Sequence, residues 1–394
     1  MRRLVFVIVI FLAAVAASAA WVRSEIERPY CGYSQAQIFV EIPRGTPRWN
    51  IAEMLQKDGV IHSRMAFILL SKWHRRGVLQ AGEYMFDRPM TPREVYAQIA
   101  GGHIYMHTVI VPEGWTMFDI ANELAKQGLS SKEDFLRAAQ DTSLVKDIAP
   151  QAPSLEGFLF PSTYQFSRNT TPEEMVATMV KEFREEWGKL QNEPAEDPSS
   201  DSPGLKNTSA KQKMADFASP AAKFSVAQIV TLASLVERET PQPTERPIVA
   251  SVFYNRLKLG LRLQCDPTVQ YALDLEGKPT PKVTPDELLV SSDYNTYRHR
   301  GLPPGPIANP GDASLRAALE PAQTKYLYFV ANGSGGHFFA RTLAEHNRNV
   351  QKYRRILAGL PPEPPPPAHR RAKSVRKHST TKHRVVVKKA QNHS

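Results

Sequence analysis

Residues 225–241 read SVAQIVTLASLVERETP, and two carboxylates, Glu237 and Glu239, close the run. Ser225 with Gln228 three residues later is a capping-box pattern, and Pro241 stops the helix. Between them Val226, Ile229, Val230 and Ala233 recur at helical spacing and form one apolar face. Four residues beyond Ala233 stands Glu237, so the periodicity puts it on the buried stripe at the C-terminal end. Glu239 lies two residues on, about 200° around the axis, and faces elsewhere. A carboxylate on an apolar face is unstable there unless it is paired or protonated. Apolar surroundings raise its pKa, and the negative end of the helix dipole pushes the same way. A carboxyl raised in this way can serve as a general acid near neutral pH. The same placement also suits a buried ion pair, with Arg256 or Arg262 as partner, and the helix by itself leaves both readings open.

Downstream, VFYNRLKLGLRLQCDPTVQYAL (252–273) reads as a helix, a turn at Gly260 and a short strand into Cys265-Asp266-Pro267-Thr268. Asp266 would cap the helix that follows. SSDYNTYRHRGLPPGPIANPG (291–311) is a long Pro/Gly-rich loop, a kind that is usually functional inside a compact domain. Its Tyr294, Asn295 and Tyr297 offer flat faces and hydrogen-bonding groups suited to sugar. YLYFVANGSGGHFFARTLAEHN (326–347) reads as strand, glycine turn, strand and helix. His337 and His346 have no second ligand pair, so they read as hydrogen-bonding or packed side chains and no metal site is expected.

These segments need a scaffold, and the chain of 394 residues has room for two or three domains. Hydrophobic residues make up 42% and charged residues 23%, which excludes a wholly disordered or fibrous chain. The net charge of +11 suggests a nucleic-acid binder until it is located. Residues 361–394 hold nine Lys and Arg against one Glu, and the preceding 360 residues carry only +3. The body is nearly balanced, and no nucleic-acid partner is expected. The prolines after Pro361 suit a polyproline spacer, followed by a disordered basic tail that is either solvated or in contact with anionic lipid or wall polymer. Cys31 and Cys265 leave room for one optional disulfide.

Residues 4–22 run without a charge behind Arg2 and Arg3. Nineteen uncharged residues, all but Ser18 apolar, rise about 28 Å as a helix, close to the thickness of a hydrocarbon core. The reading is a membrane anchor with residues 1–3 cytoplasmic and everything after Trp21 exported. Ala17-Ser18-Ala19 also fits a signal-peptidase site, so anchor and cleaved signal peptide both stand. Residues 23–37 read as a linker. An internal repeat follows, 40–59 against 109–128 with a shift of 69, pairing Pro43 with Pro112, Gly45 with Gly114, Leu55 with Leu124 and Gly59 with Gly128. Each copy reads as strand, Pro-x-Gly turn, amphipathic helix and glycine stop, similar to half of a LysM peptidoglycan-binding module. The expected division is 38–129 for this repeat region, 130–190 for a helical part, 191–222 for a flexible insertion and 223–360 for the catalytic core. The fold class is α+β: an N-terminal transmembrane helix, a LysM-like subdomain and a mixed catalytic domain.

In combination and order, LASLVERET, VFYNRL, LQCDPTVQYAL, YNTYRHRGLPPGPIANPG and YLYFVANGSGGHFFARTLAEHN resemble the YceG-like family of endolytic murein transglycosylases. EGFLFPSTYQF (156–166) fits its upstream motif. The resemblance spans roughly 38–358 and implies an inner-membrane enzyme, its catalytic domain outside, that cuts nascent glycan strands internally and leaves 1,6-anhydro-N-acetylmuramic acid ends. It implies Glu237, the first Glu of the ASxVExE segment, as the catalytic acid. Such cleavage needs one acid/base and no enzyme nucleophile, unlike glycosidases with a carboxylate pair. Asp266 and Glu156 are the candidates for a second carboxyl, and Asn255, Tyr294, Asn295, Tyr297 and His337 for positioning substrate. Peptidoglycan strands, the membrane and peptidoglycan synthases are the implied partners, with no metal or organic cofactor. A non-catalytic wall-binding protein or scaffold is the competing class.

Overall fold

The computed structural model describes residues 2–73, 77–192 and 220–360. Most of the expected 191–222 insertion and the whole 361–394 tail lie outside the described residues. Helix α1 (Arg2–Glu27) carries the apolar run and is long and apolar enough to cross a membrane. It continues unbroken to Glu27, so residues 23–27 are helix and not linker. Its end is tied down: Glu27 pairs with Arg93 at 2.6 Å, Glu25 with His62 at 3.3 Å, and Ile26 packs on the neighbouring core.

Strand β1 (Ile38–Ile42), helices α2 (Arg48–Lys57) and α3 (Arg64–Trp73) and strand β2 (Gly82–Phe86) form one strand–helix–helix–strand unit, and α4 (Pro92–Ala100) covers it. β1 and β2 pair antiparallel, Val40 opposite Tyr84. The second unit repeats the order with β3 (His107–Ile110), α5 (Met117–Lys126), α6 (Lys132–Ala139) and β4 (Thr163–Phe166), β3 and β4 again antiparallel. The repeat is real in backbone terms. α2 and α5 keep the 69-residue shift at both ends, and both Pro-x-Gly turns place their glycine at positive φ, Gly45 at 81° and Gly114 at 79°. A side chain would be strained there.

The two copies nonetheless have different neighbours. The first builds its own core from Val40, Leu55, Phe67, Tyr84 and Ile99. The second contributes Val109, Ile120 and Leu124 to the main core, with Phe158, Phe183, Leu232 and Phe253. The expected 38–129 region is therefore divided near residue 105, because the hydrophobic faces of the two copies are buried against different partners. Each fully buried aromatic or aliphatic side chain contributes roughly 1.5–3 kcal/mol by leaving water.

The remaining elements are α7 (Pro172–Asn192), α8 (Val226–Glu239), α9 (Arg246–Lys258), α10 (Asp266–Leu275), α11 (Asp312–Leu319), the hairpin β5 (Tyr328–Ala331) and β6 (His337–Ala340), and α12 (Leu343–Leu357). α8 starts at the Ser225–Gln228 capping box, as its sequence indicates. The strand expected before Cys265 is absent: 261–265 is irregular, with no ladder partner among the described residues and with Gln264 at positive φ. Cys31 is exposed and Cys265 buried, both free thiols.

Candidate active site

The end of α8 is the centre of the site. Val230, Leu232, Ala233 and Val236 bury the body of the helix, and Ser234 Oγ accepts a hydrogen bond from the Ile307 backbone N–H at 3.0 Å, which pins the long loop to it. The helix stops at Thr240 in extended geometry before Pro241. Glu237 and Glu239 then leave the helix on different sides, as the angular spacing requires.

Glu237 enters an ion pair. Its Oε1 receives Arg246 Nη2 at 2.9 Å and its Oε2 receives the Gly311 backbone N–H at 3.0 Å. The Glu237 side chain is 5% exposed and that of Arg246 7%. Arg246 also reaches Glu113 at 3.3 Å, on the Pro112-Glu113-Gly114 turn of the second repeat copy. Burial pushes the Glu237 carboxyl above the usual range, while the Gly311 N–H and Arg246 pull it down. A guanidinium does not give up its proton. Protonating Glu237 would thus strand a buried cation with only the more exposed Glu113. The partner is Arg246, not the expected Arg256 or Arg262. Arg256 instead donates to the carbonyls of Leu327, Arg262 and Leu263 and lies over the Tyr328 ring. The sequence signal for Arg246 was its position. A cation at the first residue of a helix opposes the dipole, so it needs another reason to be there.

Glu239 is half-buried, and among the described residues it makes no ion pair. Burial pushes its carboxyl up and the Asp266 charge adds to that, while the neighbouring Cys265 thiol and the charges of His337 and Arg256 act against it. Burial also raises Cys265 well above the ordinary thiol range, so it stays neutral. Tyr297 donates its hydroxyl to Asp266 on the same side. Asp266, Tyr297 and His337, expected from separate segments, therefore come together around Glu239.

Two more groups belong to this cluster. Glu245 accepts from His337 Nδ1 at 2.7 Å and from the His337 backbone N–H at 2.9 Å, which orients the ring and leaves Nε2 without a hydrogen-bond partner among the described residues. Gln264, beside Cys265, is a non-glycine residue in the left-handed region at φ 51°. Such strain persists where the surroundings enforce it, commonly at functional sites. Here the enforcing contacts are Gln264 N–H to the Thr296 carbonyl at 3.3 Å and Cys265 N–H to Thr296 Oγ1 at 3.0 Å. Neither Glu245 nor Gln264 carried a sequence signal of its own.

Other expected substrate residues turn out to be braces. Glu156 is 1% exposed; it accepts the Met117 N–H at the start of α5 at 3.0 Å and Asn309 Nδ2 at 2.8 Å. Burial pushes it up to about 8. At that burial it offers no open surface to a glycan. Asn255 donates to the Thr324 and Tyr326 carbonyls, and fully buried Asn295 donates to those of Leu288 and Val290. Tyr294 stacks at a tilt on Tyr271, ring centres 5.0 Å apart, and packs against the main core. Asp266 is not a cap: the cap position is Cys265, and Asp266 is the first helical residue, its side chain turned to Tyr297. His346 stacks on Tyr328, and no cluster of metal-ligating side chains occurs among the described residues.

The chain belongs to the YceG-like family, whose model matches residues 40–352. It is similar to the endolytic murein transglycosylase of Bacillus subtilis (strain 168), 33% identical over 336 residues, covering 81% of this chain and 86% of that protein. The endolytic murein transglycosylase of Streptococcus pneumoniae serotype 2 (strain D39 / NCTC 7466) is 26% identical over 362 residues, covering 82% of this chain and 60% of that protein. A YceG-like protein from Listeria monocytogenes, with a crystal structure at 2.6 Å, superposes with a TM-score of 0.50 at 33% identity. The match covers 80% of this chain and 99% of that one.

Proposed function

We infer that this chain is a peptidoglycan lytic transglycosylase that cuts glycan strands internally, and that Glu239, not Glu237, is its acid/base. The observation that carries the assignment is the contrast at the end of α8. Glu237 is one half of a buried ion pair. Burial raises both carboxyls, but no cation is hydrogen-bonded to Glu239 among the described residues, and it stands near Cys265, Asp266, His337 and Tyr297. An acid must rest protonated and must release its proton to substrate. The second requirement conflicts with a carboxylate held by a guanidinium and a backbone N–H.

In the proposed reaction, Glu239 gives its proton to the oxygen between C1 of N-acetylmuramic acid and C4 of the next sugar. The C1–O bond breaks, and the departing sugar takes the proton as its 4-hydroxyl. Positive charge on the C1 side is trapped by the 2-acetamido group or directly by the 6-hydroxyl. The 6-oxygen bonds to C1, its proton passes to the Glu239 carboxylate, and the 1,6-anhydro ring closes with no water consumed. Tyr297 with Asp266, and His337 held by Glu245, would position the sugar. α1 would hold the enzyme at the inner membrane, N-terminus inside, close to the synthases whose strands it terminates. The first strand–helix–helix–strand unit, read as LysM-like from the sequence repeat, would hold glycan.

The test is mass spectrometry of products from the full chain with uncrosslinked glycan strands, comparing wild type, Glu239→Gln and Glu237→Gln. Internal fragments with anhydro ends from wild type, lost in folded Glu239→Gln, support the proposal. Reducing ends would instead mean a hydrolase, with Asp266 as the carboxyl to examine. Retention of intact strands without cleavage would mean a binding protein.

A further inference from the structure

Helix α3 carries apolar side chains on two opposite faces. Its buried face holds Ala66, Phe67, Leu70 and Ser71. Its opposite face presents Met65, Leu69 and Trp73, spaced four residues apart, as one exposed apolar stripe. Trp73 is 88% exposed. A tryptophan in water at the end of such a stripe needs an explanation, because large contiguous apolar surface marks an interaction site.

The neighbour of this stripe supplies one. Leu69 and Trp73 line a groove of about 780 Å³ together with Ser18, Ala19 and Val22 of α1, and Arg23 and Arg93 stand at its rim. Ser18, Ala19 and Val22 belong to the last turns of the apolar run 4–22. If that run fills the hydrocarbon core, Ser18 lies roughly 6 Å below Val22 inside it. Side chains level with these residues then meet the acyl–headgroup boundary. The depth matches that of an interfacial helix, roughly 5–10 Å. Trp73, like Trp21 on α1, is the residue type that settles there. Lys72 is exposed beside it, and Arg23 and Arg93 line the groove, cations that suit anionic headgroups. The Glu27–Arg93 ion pair, the Glu25–His62 hydrogen bond and the packing of Ile26 on the first unit's core tie α1 to that unit, so the level is set by the fold.

We propose that α3 is a membrane-surface helix: Met65, Leu69 and Trp73 enter the anionic leaflet on the exported side and seat the first unit directly on the bilayer. This rests on the reading of α1 as a membrane anchor. The occupant is lipid, continuous with the lipid already surrounding α1, and not a second protein.

The experiment uses the full chain with Cys31→Ser in nanodiscs of phosphatidylethanolamine and phosphatidylglycerol. An environment-sensitive fluorophore is attached at Trp73→Cys, at Leu12→Cys or at Lys181→Cys, with buried Cys265 left unlabelled. Nitroxide lipids of shallow and deep position report depth. The expected result is a blue-shifted label at 73 that loses most of its emission to shallow nitroxide. The label at 12 should be quenched by deep nitroxide, and the label at 181 should remain bright. A label at 12 that is quenched while 73 emits as in water overturns the inference and leaves the anchor intact. Protection of 73 from aqueous iodide without lipid quenching means a protein covers the stripe, which also overturns it. Absence of quenching at both 12 and 73 overturns the anchor and the inference together.

Discussion

Replacing Glu237 and Glu239 one at a time by glutamine should produce opposite defects. Glutamine at 237 can still accept the Gly311 N–H, but it no longer neutralises Arg246, whose side chain is 7% exposed. Removing one partner of a buried pair typically costs about 3–5 kcal/mol, because the other charge is left uncompensated. Arg246 keeps Glu113 at 3.3 Å, although the Glu113 side chain is 48% exposed, so the lower figure of about 3 kcal/mol is expected. At about 2–4 °C per kcal/mol, the melting temperature should fall roughly 6–12 °C. Activity of the folded fraction should persist. Glutamine at 239 removes a carboxyl that burial already disfavours as an anion, so stability should hold or rise slightly, while cleavage falls roughly 10²–10⁴-fold. Calorimetry and product mass spectrometry on the same preparations measure both. A Glu237→Gln protein with wild-type melting and no cleavage, beside an active Glu239→Gln protein, would refute the reasoning and restore Glu237 as the acid.

Three other outcomes are expected. Glu156 has its pKa raised from 4.5 to about 8, so the stability it contributes is fully present below about 4.5 and is lost as pH rises through about 8. Glu156→Gln, which mimics the protonated acid, should flatten that part of the unfolding profile, whose slope approaches about 1.4 kcal/mol per pH unit; an unchanged slope in denaturant titrations across this window argues against a neutral Glu156. Glu245→Gln should weaken the hold on His337 and lower kcat more than KM in strand-cleavage kinetics, because it orients a ring and touches no sugar; a pure KM effect would contradict this. Gln264→Gly should relieve left-handed strain and stabilise the fold by roughly 1 kcal/mol while slowing cleavage, read by melting and turnover together; no gain in stability would show that the conformation is unstrained.

The periodicity of 225–241 was enough to place a helix there, to end it before Pro241 and to send its two glutamates to different sides, since these properties depend only on local geometry. The repeat was legible for the same reason: a strand, a Pro-x-Gly turn and a helix stop are short-range features, and both copies form as read. The apolar N-terminal helix follows from composition alone.

What the tertiary structure decided was the partner of each group. Whether a buried carboxyl is an acid or half of an ion pair depends on what stands opposite it. Opposite Glu237 stand Arg246 on the next helix, Glu113 from the second repeat copy and Gly311 from the long loop. Opposite Glu239 stand Cys265, Asp266 and His337. Local pattern also cannot tell a polar side chain that binds a sugar from one that braces a loop. Glu156, Asn255 and Asn295 brace backbone groups that lack regular partners, because such groups need side chains to satisfy them when buried. The division between the repeat copies had the same origin, since their matching apolar faces are buried in different cores.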